Sequence, residues 1–229
     1  MKLNEQQLQD FDRDGYLFFP SLFSSAEMKV LLVDGRDLVQ QVLGEQLYMH
    51  QFKINGKAAF DGDVWQWHQD YGTWRADDEM PEARAMNVAV FLDEVNEFNG
   101  PLLFIPGSHK LGALEASHDL STTSYPLWTI DNLTIEKLVA RGGIVAPRGP
   151  AGSMLMFHSC LVHGSSSNMS PWNRTIVYLS LCAVSNHIRR FKRPEYIAHR
   201  DFTPITPLPD NCLLDESVRI NELPLARAA

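Results

Sequence analysis

Trp65-Gln66-Trp67-His68-Gln69-Asp70-Tyr71 is the stretch on which the fold and the chemistry both turn. Apolar residues alternate with polar ones and turn residues flank it, so Trp65–Asp70 reads as a strand. Side chains two apart on a strand leave the same face, so His68 and Asp70 can reach one point in space. An imidazole and a carboxylate meeting there are two of the three ligands of a 2-His-1-carboxylate metal site. His-x-Asp is a common tripeptide, so the third ligand has to come from elsewhere. His163, in Leu161-Val162-His163-Gly164-Ser165, lies far downstream at a separation that suits opposite strands of a jelly roll.

Outward from that stretch the chain keeps a strand rhythm. Ala85–Leu92, Leu102–Ile105, Ser153–Phe157 and Thr175–Ala183 read as strands. Asn99-Gly100-Pro101, Pro106-Gly107, Gly142-Gly143 and Gly149-Pro150 punctuate them as turns. Short strands separated by such turns point to a β-sandwich or jelly roll. One helix interrupts them near Thr134–Ala140. Before Leu47 the pattern is helical: Asn4 caps a segment carrying Leu8 and Phe11, and Ser24 with Glu27 forms a capping box before Met28, Leu31 and Leu32. Leu38, Val39, Val42 and Leu43 come after Gly35. The proline-rich stretch from Thr203 reads as an extended tail. The expectation is one domain over 1–229, with N-terminal helices over 1–45 packed on a jelly roll and the tail over 203–229.

Composition excludes several classes. Of 229 residues, 45% are hydrophobic and 21% charged, which suits a packed core and not a disordered chain. The net charge of −8 argues against a nucleic-acid or anionic-membrane partner. No stretch approaches the roughly 20 apolar residues of a membrane span. Cys160, Cys182 and Cys212 form no CxxC pair, so they read as reduced thiols, and a cytoplasmic protein is expected.

His68, Asp70 and His163 together would leave half of a metal ion's coordination positions open, two for a 2-oxo acid and one for dioxygen. The far carboxylate of such an acid needs an anchor, and Arg174 at the start of the next strand is a natural bidentate partner. Ser165 offers a hydroxyl to the same carboxylate. Tyr48, His50, Phe52 and Ile54 take one face of a strand from Leu47, and Gln51, Lys53 and Asn55 take the other. That polar face either meets water or lines a cavity. Trp65, Trp67, Tyr71 and Trp74 cluster near the metal motif, and one or two of them can wall a pocket against water. His50, His109, His118, His158, His187 and His199 have no partner spacing and read as structural. Walker A, HExxH and GxSxG motifs are absent.

These residues resemble those of the phytanoyl-CoA dioxygenase superfamily of Fe(II)/2-oxoglutarate oxygenases, in particular its ectoine hydroxylases and free L-proline trans-4-hydroxylases. The resemblance is carried by His50 to Asn55, Trp65 to Tyr71, Asn99 to His109, Gly149 to Ser153, His163 to Pro171 with Arg174, and Arg193-Pro194-Glu195. It implies a mainly β protein with flanking helices, a double-stranded β-helix (jelly roll, cupin-like). It implies Fe(II) on His68, Asp70 and His163. It implies 2-oxoglutarate held by Arg174 and Ser165, with Lys53, Asn55 and the Trp65 ring on its other side, and O2 as the oxidant. Gln51, Trp74 and Phe157 would then face the substrate, together with Tyr178 and Ser180 on the strand after Arg174.

The sequence departs from the ectoine hydroxylases at Tyr178, Ser180 and Cys182, where those enzymes carry two apolar residues and an asparagine. His158 stands where an acidic residue is usual, and the segment before Leu47 is markedly shorter. The implied activity is hydroxylation of an unactivated C–H of a small, amino-acid-like molecule, of the free imino-acid or ectoine type, releasing succinate and CO2. The alternatives are the same chemistry on a secondary metabolite or acyl-CoA, a 2-oxoglutarate-independent cupin enzyme, or a small-molecule binding module. Either a monomer or a homodimer is compatible with this reading.

Overall fold

The computed structural model describes residues 2–20, 22, 34–122 and 126–206. The Ser24–Glu27 capping box, Met28, Leu31, Leu32, Cys212 and most of the proline-rich tail lie outside the described residues.

The chain opens with α1 (Glu5–Asp14). Asn4 and Gln7 cap it reciprocally, each side chain on the other's backbone N–H, which satisfies two donors that a helix start would otherwise leave bare. Gly15 ends it at φ 83°, and a Cβ there would sit 2.4 Å from the His109 ring, so only glycine fits. The N-terminal part is not helical throughout, contrary to its sequence pattern. Tyr16–Phe19 forms β1, a strand with three β-favouring aromatic residues that pairs with Met154–Phe157. Then come α2 (Asp34–Leu43), β2 (Leu47–Lys57), β3 (Trp65–His68), α3 (Asp70–Asp78), β4 (Ala85–Phe91) and β5 (Leu102–Phe104). The later elements are β6 (Ser117–Asp119), β7 (Leu127–Thr129), α4 (Asn132–Gly142), β8 (Met154–His158), β9 (His163–Ser165) and β10 (Arg174–Ala183).

The strands form two antiparallel sheets, in the orders β1-β8-β4-β10-β2 and β5-β9-β3-β7-β6. Ala89, Phe91, Leu155, Phe157, Ile176 and Tyr178 of the first sheet meet Leu102 and Phe104 of the second in one buried cluster, so the sheets face each other. On the first sheet's other face Val88, Met156 and Leu181 pack against Phe11 of α1 and Leu38 and Val39 of α2. β4 is therefore covered on both sides and buried at every position. α4 covers the second sheet through Ile135 and Leu138 against Ile105 and Val162. This is the mainly β jelly roll with flanking helices that the strand spacing implied. Among the described residues no helix is long and apolar enough to cross a membrane.

β2 departs from simple alternation. Ser180 pairs with Gln51 and Leu181 with Met49, so His50 is the extra residue of a bulge. Tyr48 and Phe52 therefore do not share a face. Beyond the bulge the apolar residues point out, with Phe52 37% and Ile54 63% exposed, while Gln51 is buried. The polar row of Gln51, Lys53 and Asn55 faces the interior of the roll, and Lys57, 2% exposed, extends it.

Past β10 the chain folds back. Gln51 donates to the carbonyl of Ile197 at 2.7 Å, and Arg193 forms a two-bond ion pair with buried Asp78 (Nε to Oδ1, 2.8 Å; Nη2 to Oδ2). Ile205 N–H then donates to Leu47 O at 2.8 Å, which ties the start of the tail beside β2.

Candidate metal centre

β3 and β9 pair so that His68 and His163 stand directly opposite each other, their ring centroids 4.1 Å apart. Asp70 does not sit on β3, contrary to the sequence reading. The strand ends at His68, Gln69 caps α3 in extended geometry (φ −117°, ψ 131°), and Asp70 is the first helical residue. Because His68 and Gln69 are still extended, the two-residue alternation survives to Asp70 and its carboxylate reaches the same point. One ligating atom each from His68, Asp70 and His163 lies within 4.8 Å of the other two, the only such group among the described residues.

Each ring is oriented from behind. His68 Nδ1 meets the Gln66 carbonyl at 2.7 Å and His163 Nδ1 meets the Leu161 carbonyl at 2.9 Å. A carbonyl only accepts, so each Nδ1 carries the proton and each Nε2 lone pair is free. Burial pushes His68 down to about 3, with neighbouring His163 adding to the effect and Asp70 opposing it. Burial lowers His163 as well. For Asp70, burial acts upward but Lys53, His163 and His68 outweigh it, holding the carboxyl at about 2. At neutral pH the set is thus two neutral imidazoles and one carboxylate, the protonation state in which all three ligate. The donors and their fixed tautomers fit a divalent transition metal with open positions.

The three ligands line a cleft together with Lys53, Asn55, Trp65, Ser165, Arg174 and Tyr178. Every residue assigned to the metal and to 2-oxoglutarate is therefore brought to one cavity, and with them Tyr178. Lys53 Nζ stands 3.9 Å from Asp70 Oδ1 and 5.6 Å from the Tyr178 ring centre. Arg174 is 1% exposed. Its Nε and Nη2 donate to Gly100 O at 3.1 and 3.0 Å, and its Nη1 donates to Asn55 Oδ1 at 2.9 Å. Among the described residues Arg174 has no carboxylate within ion-pair distance, so a buried guanidinium faces the cavity without a counter-anion.

The remaining residues named for substrate lie behind the lining. Trp74 Nε1 donates to Gln51 Oε1 at 3.2 Å, and both residues are buried. Phe157 packs edge-on behind His163 at 5.2 Å. Ser180 donates to Asn87 Oδ1 at 2.6 Å. Of the four aromatics near the motif, Trp65 walls the cleft, while Trp67, Tyr71 and Trp74 pack into the core. The other histidines serve the scaffold in several cases: His158 Nδ1 accepts from Cys160 N–H at 2.9 Å, and burial lowers it to about 4.

Sequence reasoning missed Lys57 and Asn87. Lys57 continues the two-residue alternation of Gln51, Lys53 and Asn55, so the signal was present. Asn87 is the polar residue in an otherwise apolar strand, which is itself a flag.

The family description for phytanoyl-CoA dioxygenase (PhyH) matches residues 33–176, a span that holds the three candidate ligands and Arg174. The chain belongs to the phytanoyl-CoA dioxygenase family. It is 30% identical to the ectoine dioxygenase of Bordetella bronchiseptica over 264 residues, covering 90% of this chain and 86% of that protein. It is 35% identical to the L-proline trans-4-hydroxylase of Streptomyces griseoviridis, covering 75% of this chain and 68% of that protein. The crystal structure of EctD from S. alaskensis with bound Fe superposes with a TM-score of 0.74 at 28% identity, covering 90% of this chain and 86% of that one. As a member of this family the chain has the cupin-like double-stranded β-helix fold.

Proposed function

We propose that this chain is a 2-oxoglutarate-dependent non-haem iron dioxygenase that hydroxylates an unactivated C–H bond of a small amino-acid-like molecule, of the free imino-acid or ectoine type. The observation that carries the reading is one cavity holding His68, Asp70 and His163 beside an Arg174 that has no carboxylate partner among the described residues. The names of the relatives support the substrate class: ectoine dioxygenase and L-proline trans-4-hydroxylase.

Ferrous iron on His68, Asp70 and His163 would supply the oxidative chemistry, in which O2, 2-oxoglutarate and a substrate C–H give the alcohol, succinate and CO2. The protein's share is positioning. Arg174 binds the far carboxylate of 2-oxoglutarate as a bidentate donor, with Ser165 adding a hydroxyl. Asn55 holds Arg174 in place from its own strand. Lys53 brings a cation near Asp70 for the acid's other end, and the Trp65 ring closes the wall. Tyr178, whose ring centre is 5.6 Å from Lys53 Nζ, is the one residue named for substrate that also lines the cavity. Gln51, Trp74, Phe157 and Ser180 shape the site from behind it.

A monomer and a homodimer are both compatible with this reading. A cytoplasmic setting suits the free, buried thiols Cys160 and Cys182. The test is succinate formation from 2-oxoglutarate with iron, screened against free proline and other amino acids, ectoine and related compatible solutes. One of these molecules stimulating turnover, with a product heavier by one oxygen, is the expected result. Stimulation by an acyl-CoA and by none of the small zwitterions would overturn the substrate assignment.

A further inference from the structure

Asp70 has a second set of partners that the ligand geometry alone does not explain. Asn87, at the centre of β4, is fully buried, and its Nδ2 donates to Asp70 Oδ2 at 2.7 Å. Ser180, opposite it on β10 and equally buried, donates to Asn87 Oδ1 at 2.6 Å. A carboxylate only accepts, so the amide nitrogen has to face Asp70 and the amide oxygen is left for the Ser180 hydroxyl. The three residues form one directed chain from the first sheet to the candidate ligand. Asp70 Oδ2 is engaged by this chain, while Asp70 Oδ1 accepts no hydrogen bond from the described residues. Oδ1 looks toward His68 Nε2 at 4.0 Å and Lys53 Nζ at 3.9 Å, and Oδ2 stands 3.6 Å from His163 Nε2.

We infer that Asn87, braced by Ser180, is a positioning residue that fixes the rotation of the Asp70 carboxylate and so the way its two oxygens are presented to the metal. This rests on the metal reading of His68, Asp70 and His163 and adds to it. A carboxylate free to rotate can offer both oxygens and so fill a coordination position that a chelating 2-oxo acid needs. The Asn87 hydrogen bond opposes that rotation. It also reassigns Ser180, whose hydroxyl acts on the site through Asn87.

Cobalt(II) titration of the purified protein tests this without turnover, reading the dissociation constant and the visible spectrum before and after 2-oxoglutarate. Asn87→Ala is expected to weaken cobalt binding by about 10- to 100-fold, the usual range for a partner that orients a ligand. Its cobalt spectrum is expected to differ from wild type and to respond less to 2-oxoglutarate. Ser180→Ala should shift both in the same direction by less, and the double variant should match Asn87→Ala, because Ser180 acts only through Asn87. Wild-type affinity and spectrum in a folded Asn87→Ala protein would overturn the inference, as would a Ser180→Ala effect that adds in full to it. If Asn87→Ala does not fold, Ser180→Ala decides alone, and an unchanged constant and spectrum there overturn it. Failure of the wild type itself to bind cobalt would instead count against the metal reading.

Discussion

Lys57 and Arg174 stand directly opposite each other across the β2–β10 pair, two buried cations on one face. Like charges in that relation repel, and the burial of each adds a desolvation cost. Among the described residues Lys57 Nζ is held only by carbonyls, that of Asp63 at 2.5 Å and that of Ser166. Arg174 has Gly100 O and Asn55 for partners. The pair makes physical sense if an anion arrives between β2 and β10 during function. Lys57→Met should therefore weaken 2-oxoglutarate binding, measured calorimetrically with a redox-inert metal, and leave binding of a 2-oxo monocarboxylate unchanged. Equal affinity for 2-oxoglutarate in the variant and the wild type would sink this role.

The same lysine gives a pH dependence. Burial, and next the charge of Arg174, push Lys57 down from 10.5 to about 7. Between those values the unfolded chain holds a proton that the folded one lacks, so this group's contribution to stability rises as pH increases from about 7 to 10.5. Below about 7 the lysine is charged in both states and the cost of burying that charge is felt in full. Thermal melting of the ligand-free protein across roughly pH 6 to 9 should show a rise on the alkaline side that Lys57→Met flattens. An identical profile in the variant would contradict it.

Arg174→Ala removes the anchor for the far carboxylate and leaves Asn55 Oδ1 and Gly100 O without their donor. Affinity for 2-oxoglutarate should fall by about 2 kcal/mol or more, the scale of a lost charge-assisted pair, with the cobalt constant nearly unchanged. A matching loss of metal affinity would show that Arg174 supports the ligands and not the acid.

Gly164 lies between His163 and Ser165, and a Cβ there would come within 2.9 Å of the Trp65 carbonyl. Gly164→Ala should push β9 from β3, cost about 1–3 kcal/mol of stability and weaken metal binding. Denaturant melts and cobalt titration measure the two effects, and a variant with both values intact would show that the strands do not need this close approach.

Arg193 fixes the returning segment through Asp78, which is fully buried. Arg193→Ala leaves that carboxylate with only the neutral, buried His50 ring 3.7 Å away, and a loss of about 3–5 kcal/mol in chemical denaturation is expected. A loss below about 1 kcal/mol, the value of an exposed pair, would place the segment's anchor elsewhere.

Much of this was legible from the residues. His68, Asp70, His163 and Arg174 carry chemistry that few arrangements besides a metal and an acid use, and the strand rhythm around them is strong. Other features were hidden because they depend on context. Asp70 reads as a strand residue because alternation gives the same side-chain direction whether the strand continues or a helix begins. The inward polar face of β2 was ambiguous because a hydrophobic pattern says that two faces differ and not which one meets the partner sheet. The bulge at His50 inverted the simple expectation, and nothing in the residue types there announces it. Asn87 was overlooked because its neighbours, not its spacing, give it a role.

The most direct measurement is anaerobic titration of the protein with Fe(II) and then 2-oxoglutarate, followed by visible absorption. A charge-transfer band that saturates at one 2-oxoglutarate per chain, and that is lost in His163→Ala and in Asp70→Ala, is the expected result. No band in the wild type, or an unchanged band in either variant, would contradict the assignment of iron to His68, Asp70 and His163.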